Sequence, residues 1–388
     1  MPKNDFVPQI PYGTRDFLIG EAYKKRELES KIADIFSLWG YQEVVTPTFE
    51  YLDIFEGSIL SEQAFKFFDR EGNVLVLRPD MTSPIARLAS TRFRENGNPK
   101  RLSYIANVFR YEQAQAGRQC EFYQAGVELL GCDHAAADAE IVALAVQTLQ
   151  TAGLKDFKIS LGHVDFLNGV IESTGLDNET KDKIRMLMSG RDLAGLEMYL
   201  EKIGLASSLR DCLQEILFLH GGREIIAKAV RLSGNEMSEK ALKNLDDIYS
   251  LLVNYNVVDK IDFDLGLIRN FDYYTGMVFE GYTRGLGFPI CGGGRYDKMM
   301  ASFGQDCPAI GFSAGIDRIL LTLAKKNKNP EQSACIYIGW QQDAFAKALE
   351  KAYELRQKGR QVELSPCPQS KDAAIEYAGE RDFLYIEK

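Results

Sequence analysis

The chain has 388 residues, 45% of them hydrophobic, and a net charge of −9 with a sequence pI near 5.2. That length suits one large domain with a smaller companion, because single cores stop growing at roughly 250–300 residues. The acidic balance offers no overall field to gather a polyanion, no apolar run approaches the ~18 residues of a bilayer span, and MPKNDFVPQIPYGTRDFL lacks the apolar core of a leader. A soluble cytoplasmic protein is expected.

From about Gly20 to Trp39, the residues Leu28, Ile32, Ile35, Phe36 and Trp39 recur at helical spacing, and Gly40 stops the run. YQEVVTPTFEYLDIF predicts a strand interrupted by Pro47, which has no ladder donor and so belongs at a sheet edge or a subunit boundary. FKFFDREGNVLVLRPD predicts a hairpin turning at Glu71-Gly72-Asn73, followed by a helix from Thr82 to about Phe93 with Thr82 as its N-cap. RLSYIANVFRYE and CEFYQAGVELLG predict a second hairpin, then a helix from about Ala136 to Ala152 and a strand FKISLGHVDF. Between about Leu167 and Val258 the pattern is helical and reads as an inserted subdomain. IDFDLGLI and YYTGMVFEGY resume strand character, FPICGGGRYD reads as a glycine-rich turn, and PAIGFSAGIDRILLTLA reads as strand into helix, with Gly311 and Gly315 letting helix and sheet pack closely. After the polar stretch KKNKNPEQ, the tail alternates strand and helix, which predicts a small parallel α/β unit.

Seven cysteines are scattered without a CxxC, and His134, His163 and His220 have no partner at metal-ligand spacing, so reduced thiols and neither metal nor cofactor are expected. Alternation places Arg110 and Glu112 on one face of their strand and Gln124 and Glu128 on one face of the next; this is either a solvated sheet face or a charged site. In LRPDMTSP, Asp80 and Thr82 stand just past a strand end, where they either cap a helix or hold an ammonium group. Tyr273 and Tyr274, with Arg269 nearby, form either a core aromatic cluster or the wall of a site for a small ring-bearing ligand. CGGGRYD lacks the Lys-Ser/Thr of a P-loop and reads as a tight turn approaching a ligand; Arg318 suits a phosphate or an exposed helix face.

Taken in order, the Pro47 strand, LRPDMT, FRYEQAQAGRQCEFYQAGVELLG, RNFDYYTG, CGGGRYD and AIGFSAGIDR resemble the motif series of histidyl-tRNA synthetases over about residues 8–325. The resemblance implies an α+β class II aminoacyl-tRNA synthetase-like fold: an antiparallel sheet flanked by helices in residues 1–325, with a helical insertion at about 167–258, dimerised through its first motif. It implies a small α/β domain at 331–388 that resembles a truncated anticodon-binding domain. Carried over by position, Asp80, Thr82 and Gln124 would hold the α-amino group of histidine, Glu128 and Tyr274 the imidazole, and Arg269 the carboxylate, with Tyr273 and Tyr296 lining the pocket. Arg110, Glu112, Arg118 and Arg318 would mark a vestigial nucleotide and phosphate site. The synthetase pattern has glutamate at position 80, arginines at 113 and 120 and glutamine at 121, whereas this chain has Asp80, Gln113, Cys120 and Glu121. Two cations are lost and an anion gained where phosphate would sit, which weakens nucleotide activation. This combination resembles the regulatory-subunit paralogues of ATP phosphoribosyltransferase, implying a non-catalytic histidine sensor, partnered by a short catalytic subunit, with no tRNA and no membrane. The alternative is a divergent synthetase forming histidyl-adenylate.

Overall fold

The computed structural model describes residues 9–55, 59–93, 99–111, 119–267, 273–326 and 335–387. These divide into two compact units, Met1–Ala324 and Lys325–Lys388.

The first unit is built on a nine-stranded sheet. Its strands lie in the order Gln42–Glu43, Lys100–Phe109, Glu121–Leu130, Ala309–Gly315, Cys291–Arg295, Met277–Thr283, Phe157–His163, Ile261–Asp264 and His220–Gly221. The six strands from Lys100–Phe109 to Phe157–His163 pair antiparallel, while Gln42–Glu43 and Ile261–Asp264 add parallel pairs toward the edges, so the sheet is mixed with an antiparallel centre.

Pro47 separates Gln42–Glu43 from Phe49–Tyr51, and the two short strands enter different sheets, each at an edge. Phe49–Tyr51 joins Val74–Leu77 and Lys66–Phe68 in a small antiparallel sheet, the last two forming the predicted hairpin with Gly72 at φ +87°. The predicted first helix is Ile19–Leu38, ended by Gly40 at φ +80°.

Because side chains alternate across a strand, one face of the central sheet collects Val127, Leu129, Ile310, Phe312, Phe279 and Leu161, all nearly inaccessible. The helices Ile19–Leu38 and Ala135–Thr151 pack on it, Phe36 meeting Phe312 edge-on at 6.0 Å between ring centres. The residues predicted to be a helical insertion form the helices Val164–Glu172, Asn178–Ser189, Leu193–Lys202, Ser207–Ile216, Glu224–Ser233 and Glu236–Asn254. They have no core of their own: Phe166, Ile184, Leu196 and Leu245 join the apolar cluster that holds Ile159 and Phe263 of the sheet.

Two sequence expectations are corrected. Cys291–Arg295 is a strand at the centre of the sheet, not a turn. Three consecutive glycines signal a turn locally, but strands pair with this segment on both sides, and tertiary pairing overrides local preference. The helix Thr82–Arg92 follows Met81 at its N-cap position, whose side chain makes no capping bond, and Thr82 is the first helical residue, its hydroxyl bonded to Glu128 instead.

The second unit contains a parallel sheet with the order Val362–Leu364, Ile336–Trp340, Phe383–Ile386, alternating in sequence with the helices Phe345–Gln357 and Lys371–Ala378, which is the predicted α/β pattern. No described helix is long and apolar enough to cross a membrane.

Candidate functional site

The opposite face of the central sheet presents Tyr104, Gln124, Gly126, Glu128, Gly311, Ser313 and Gly292 in register, the polar and side-chain-free counterpart of the apolar face. Thr82 from the start of its helix, Tyr273 and Tyr274 from the approach to the strand Met277–Thr283, and Tyr296 from the end of Cys291–Arg295 close over it. The result is a small pocket with a cavity volume of ≈ 40 Å³, open to solvent at its mouth and well below the roughly 300–1,000 Å³ of drug-sized sites.

Glu128 is the centre of this pocket and is 2% exposed. Its Oε1 accepts the Thr82 hydroxyl at 3.0 Å and its Oε2 accepts the Tyr296 hydroxyl. Burial pushes its carboxyl up to about 8 against those two hydrogen bonds, which favour the anion; the charge of Asp80 adds to the rise. Asp80 is also buried, and burial raises it while Arg110 and the Ser83 main chain oppose. Gln124 donates from Nε2 to Ser313 Oγ at 3.4 Å. Tyr273 meets Tyr274 edge-on at 4.7 Å between ring centres and lies 5.6 Å from the Tyr296 ring, giving an aromatic wall beside two carboxyls.

The glycines make room for these groups. A Cβ at Gly311 would stand 1.8 Å from Glu128 Oε2, and one at Gly294 would stand 2.9 Å from the Tyr274 ring. Gly311 therefore serves the pocket face rather than helix–sheet packing. Gly126 does the same for Tyr104, whose hydroxyl occupies the place of its missing Cβ at 2.4 Å.

Of the site residues expected from sequence, Thr82, Glu128, Tyr273, Tyr274 and Tyr296 line one pocket, with Asp80 and Gln124 adjoining it through the same helix start and strand face. Arg269, Glu112 and Arg118 lie outside the described residues. Arg318 is exposed; its Nη1 donates to the Pro289 carbonyl at 2.5 Å and its guanidinium sits over the Phe288 ring, away from the pocket lining. Arg110 Nε donates to the Pro79 carbonyl at 2.8 Å. Sequence reasoning missed Tyr104, Gly311 and Ser313 as pocket residues, while Gly292 lies in the stretch expected to approach a ligand; mid-strand glycines at 126 and 311 were the signal that something approaches closely. No group of three or more described His, Cys, Asp or Glu side chains is placed to hold a metal, and none of the seven cysteines is paired.

An antiparallel-centred sheet with helices on its apolar face and an acidic, aromatic-walled pocket on the other defines a class II synthetase-like protein. A family model described as histidyl-tRNA synthetase matches residues 13–319. The ATP phosphoribosyltransferase regulatory subunit of Moorella thermoacetica is 44% identical over 96% of this chain and 96% of its own; that of Ruminiclostridium cellulolyticum is 39% identical over 96% and 90%. A crystal structure described as an ATP phosphoribosyltransferase regulatory subunit/histidyl-tRNA synthetase from Bacillus halodurans superposes with a TM-score of 0.89 at 34% identity, covering 99% of both chains. The chain belongs to the histidyl-tRNA synthetase family and, within it, to the ATP phosphoribosyltransferase regulatory subunits.

Proposed function

We propose that this chain is the regulatory subunit of an ATP phosphoribosyltransferase, without catalysis of its own. It binds histidine in the Glu128 pocket and acts in the cytoplasm with a short catalytic subunit at the first step of histidine biosynthesis, conferring feedback inhibition. One observation carries the reading. A small pocket holds a buried carboxyl bonded by two hydroxyls and is lined by four tyrosines, with a second buried carboxyl adjoining it, the set an imidazole-bearing amino acid needs. Asp80, Thr82 and Gln124 take its ammonium, Glu128 and Tyr274 its ring, and Arg269 its carboxylate.

The neighbouring nucleotide half supports a silent role. Cys120, where the synthetase pattern has a cation, is buried with its sulfur against Gly13, and Glu121 accepts Asn107 Nδ2 at 2.8 Å. Preorganised cations on phosphate supply several kcal/mol of transition-state stabilisation, so their replacement argues against adenylation. The acidic charge argues against tRNA as a partner. A second copy of the chain covers the exposed Val45, Phe49 and Phe68 on and beside the small sheet, a dimer contact at the Pro47 segment. Regulation requires histidine to bind two conformations of the assembly unequally, by typically about 1–3 kcal/mol.

The test is to mix the purified chain with a short-form catalytic subunit. Turnover rises and becomes histidine-inhibited; no change in either overturns the proposal. Histidine-dependent exchange of pyrophosphate into ATP by the chain alone would establish the synthetase reading instead.

A further inference from the structure

We propose that Arg295, buried on the helix side of the sheet and bonded to Asp138, is a positioning residue for the pocket on the other side. It fixes the strand end and the Tyr274 approach so that the Tyr296 hydroxyl meets Glu128. The inference deepens the histidine-binding reading above and rests on it for its ligand.

Alternation turns Arg295 away from the pocket face, which Gly292 and Gly294 serve, and toward the helix Ala135–Thr151. There Arg295 is 7% exposed, and Asp138, in the first turn of that helix, is 1% exposed. Arg295 Nε donates to Asp138 Oδ1 at 3.0 Å, and Nη2 lies 2.8 Å from the same oxygen. Its Nη1 donates to the Cys132 carbonyl at 3.0 Å and to Asp297 Oδ1 at 3.2 Å. Stability does not account for such a pair, because apolar residues of similar volume in its place are often neutral or better. What a planar guanidinium supplies is direction, and here it ties the start of a helix to the end of a strand.

The residues that follow carry this geometry across the sheet. The Tyr296 main-chain N–H donates to the Ala309 carbonyl at 2.8 Å, and Asp297 Oδ1 accepts the Ala309 N–H at 2.8 Å. The Arg295 carbonyl accepts the Thr275 N–H at 2.7 Å, and Thr275 Oγ1 accepts the Asp297 N–H at 2.9 Å. Thr275 directly follows Tyr274. A Cβ at Gly276 would stand 3.1 Å from Arg295 Cδ, so the arginine stem lies against that main chain. Tyr274 and Tyr296 are thereby both anchored through one buried side chain that does not enter the pocket. Recognition groups have to be held to within about 0.5 Å, and a locked supporting residue is what achieves it.

The experiment compares the full chain with Arg295→Lys and with the double variant Asp138→Leu/Arg295→Met, which removes the pair without leaving a lone buried charge. Each is read by urea unfolding, by calorimetric titration with L-histidine and by fluorine NMR of protein labelled with 3-fluorotyrosine. Loss of a resonance in Tyr296→Phe identifies Tyr296. The double variant keeps a urea midpoint near that of the wild type and shifts the Tyr296 resonance. It binds histidine about tenfold more weakly, the scale of one hydrogen bond lost from a buried carboxyl. Arg295→Lys keeps the charge, loses the planar contacts and moves both readouts the same way by less. In a Tyr296→Phe background the double variant loses less affinity, because both changes act through one hydroxyl. A merely structural pair would move the urea midpoint alone. An unmoved Tyr296 resonance or an unchanged affinity in a variant that folds overturns the proposal. So does failure of both variants to fold, since the pair then serves the scaffold. A wild-type chain that binds no histidine overturns the pocket reading, and the Tyr296 resonance then decides this proposal without a ligand.

Discussion

The two faces of the central sheet are made from the same strands, one residue apart, and they do opposite things. Toward the helices, Val127, Leu129, Ile310 and Phe312 interlock with Phe36 and Phe279 in a dry layer whose burial stabilises the fold. Toward the pocket, Gly126, Glu128, Gly311 and Ser313 leave space, and into it project a carboxyl, hydroxyls and tyrosine rings that would be better solvated in the unfolded chain. The difference teaches that stability and recognition are separated here by the pleat alone. Each pocket glycine gives up packing so that a named partner can approach.

The sharpest way to break this comparison is to fill the empty face. Gly311→Val puts a branched side chain where a Cβ alone would lie 1.8 Å from Glu128 Oε2 and 2.5 Å from the Val127 carbonyl. Histidine binding falls below detection by calorimetry, and overpacking lowers stability by about 1–3 kcal/mol in urea unfolding. On the apolar face, Leu161→Ala removes a fully buried side chain and lowers stability by about 2–5 kcal/mol, yet leaves histidine affinity within about twofold wherever the fold persists. Equal losses of binding in the two variants would dissolve the distinction between the faces.

Next in size is the pH dependence. Glu128 is lifted from an ordinary 4.5 to about 8 in the folded chain, so its contribution is fully present below pH 4.5 and is lost as pH rises toward 8. At ~1.4 kcal/mol per unit this is on the order of 5 kcal/mol. Glu128→Gln removes that decline, so its unfolding free energy between pH 5 and 8 is flatter than that of the wild type, leaving what Asp80, raised in the same direction by burial, supplies. Parallel curves would mean that the carboxyl is ionised throughout.

Much of this was legible in sequence where one physical signal dominates. The first helix, both hairpins and the alternating tail follow from period and from turn residues such as Gly40 and Gly72. The shared face of Gln124 and Glu128 follows from alternation and is confirmed by their pairing with Gly315 and Gly311. Legibility failed where a residue serves a distant partner. Thr82 resembles an N-cap, but its hydroxyl is drawn 46 residues along the chain to Glu128. Gly293 and Gly294 resemble a turn because no short window of sequence contains Phe312 and Tyr274, the side chains that crowd their missing Cβ positions. Tyr104 carries no signal of its own; its place is set by Gly126 on the adjacent strand.

Tyr296→Phe sharpens the comparison from inside the pocket, because it deletes one of the two hydroxyls on Glu128 without changing shape. Leaving a buried carboxyl with one hydrogen bond fewer costs about 1–3 kcal/mol, so histidine affinity drops by roughly five- to a hundredfold. The Glu128 carboxyl also rises further, since the Tyr296 bond favours its anion. The checks are histidine titration and the same unfolding profile against pH, whose decline shifts to higher pH in this variant.

The smallest effect is expected at Arg318, and its smallness is informative. The side chain is exposed, bonded to the Pro289 carbonyl and stacked on Phe288, outside the pocket that holds Glu128. Arg318→Ala should therefore change stability by no more than about 0.5 kcal/mol and leave histidine affinity unchanged in calorimetry. A residue still engaged with phosphate would behave differently: its loss would weaken ATP binding measurably while sparing histidine. Titrating the wild type and Arg318→Ala with ATP separates the two. Equal, weak responses place Arg318 with the scaffold, and a selective loss of ATP binding would mean that the nucleotide half of the cleft still works.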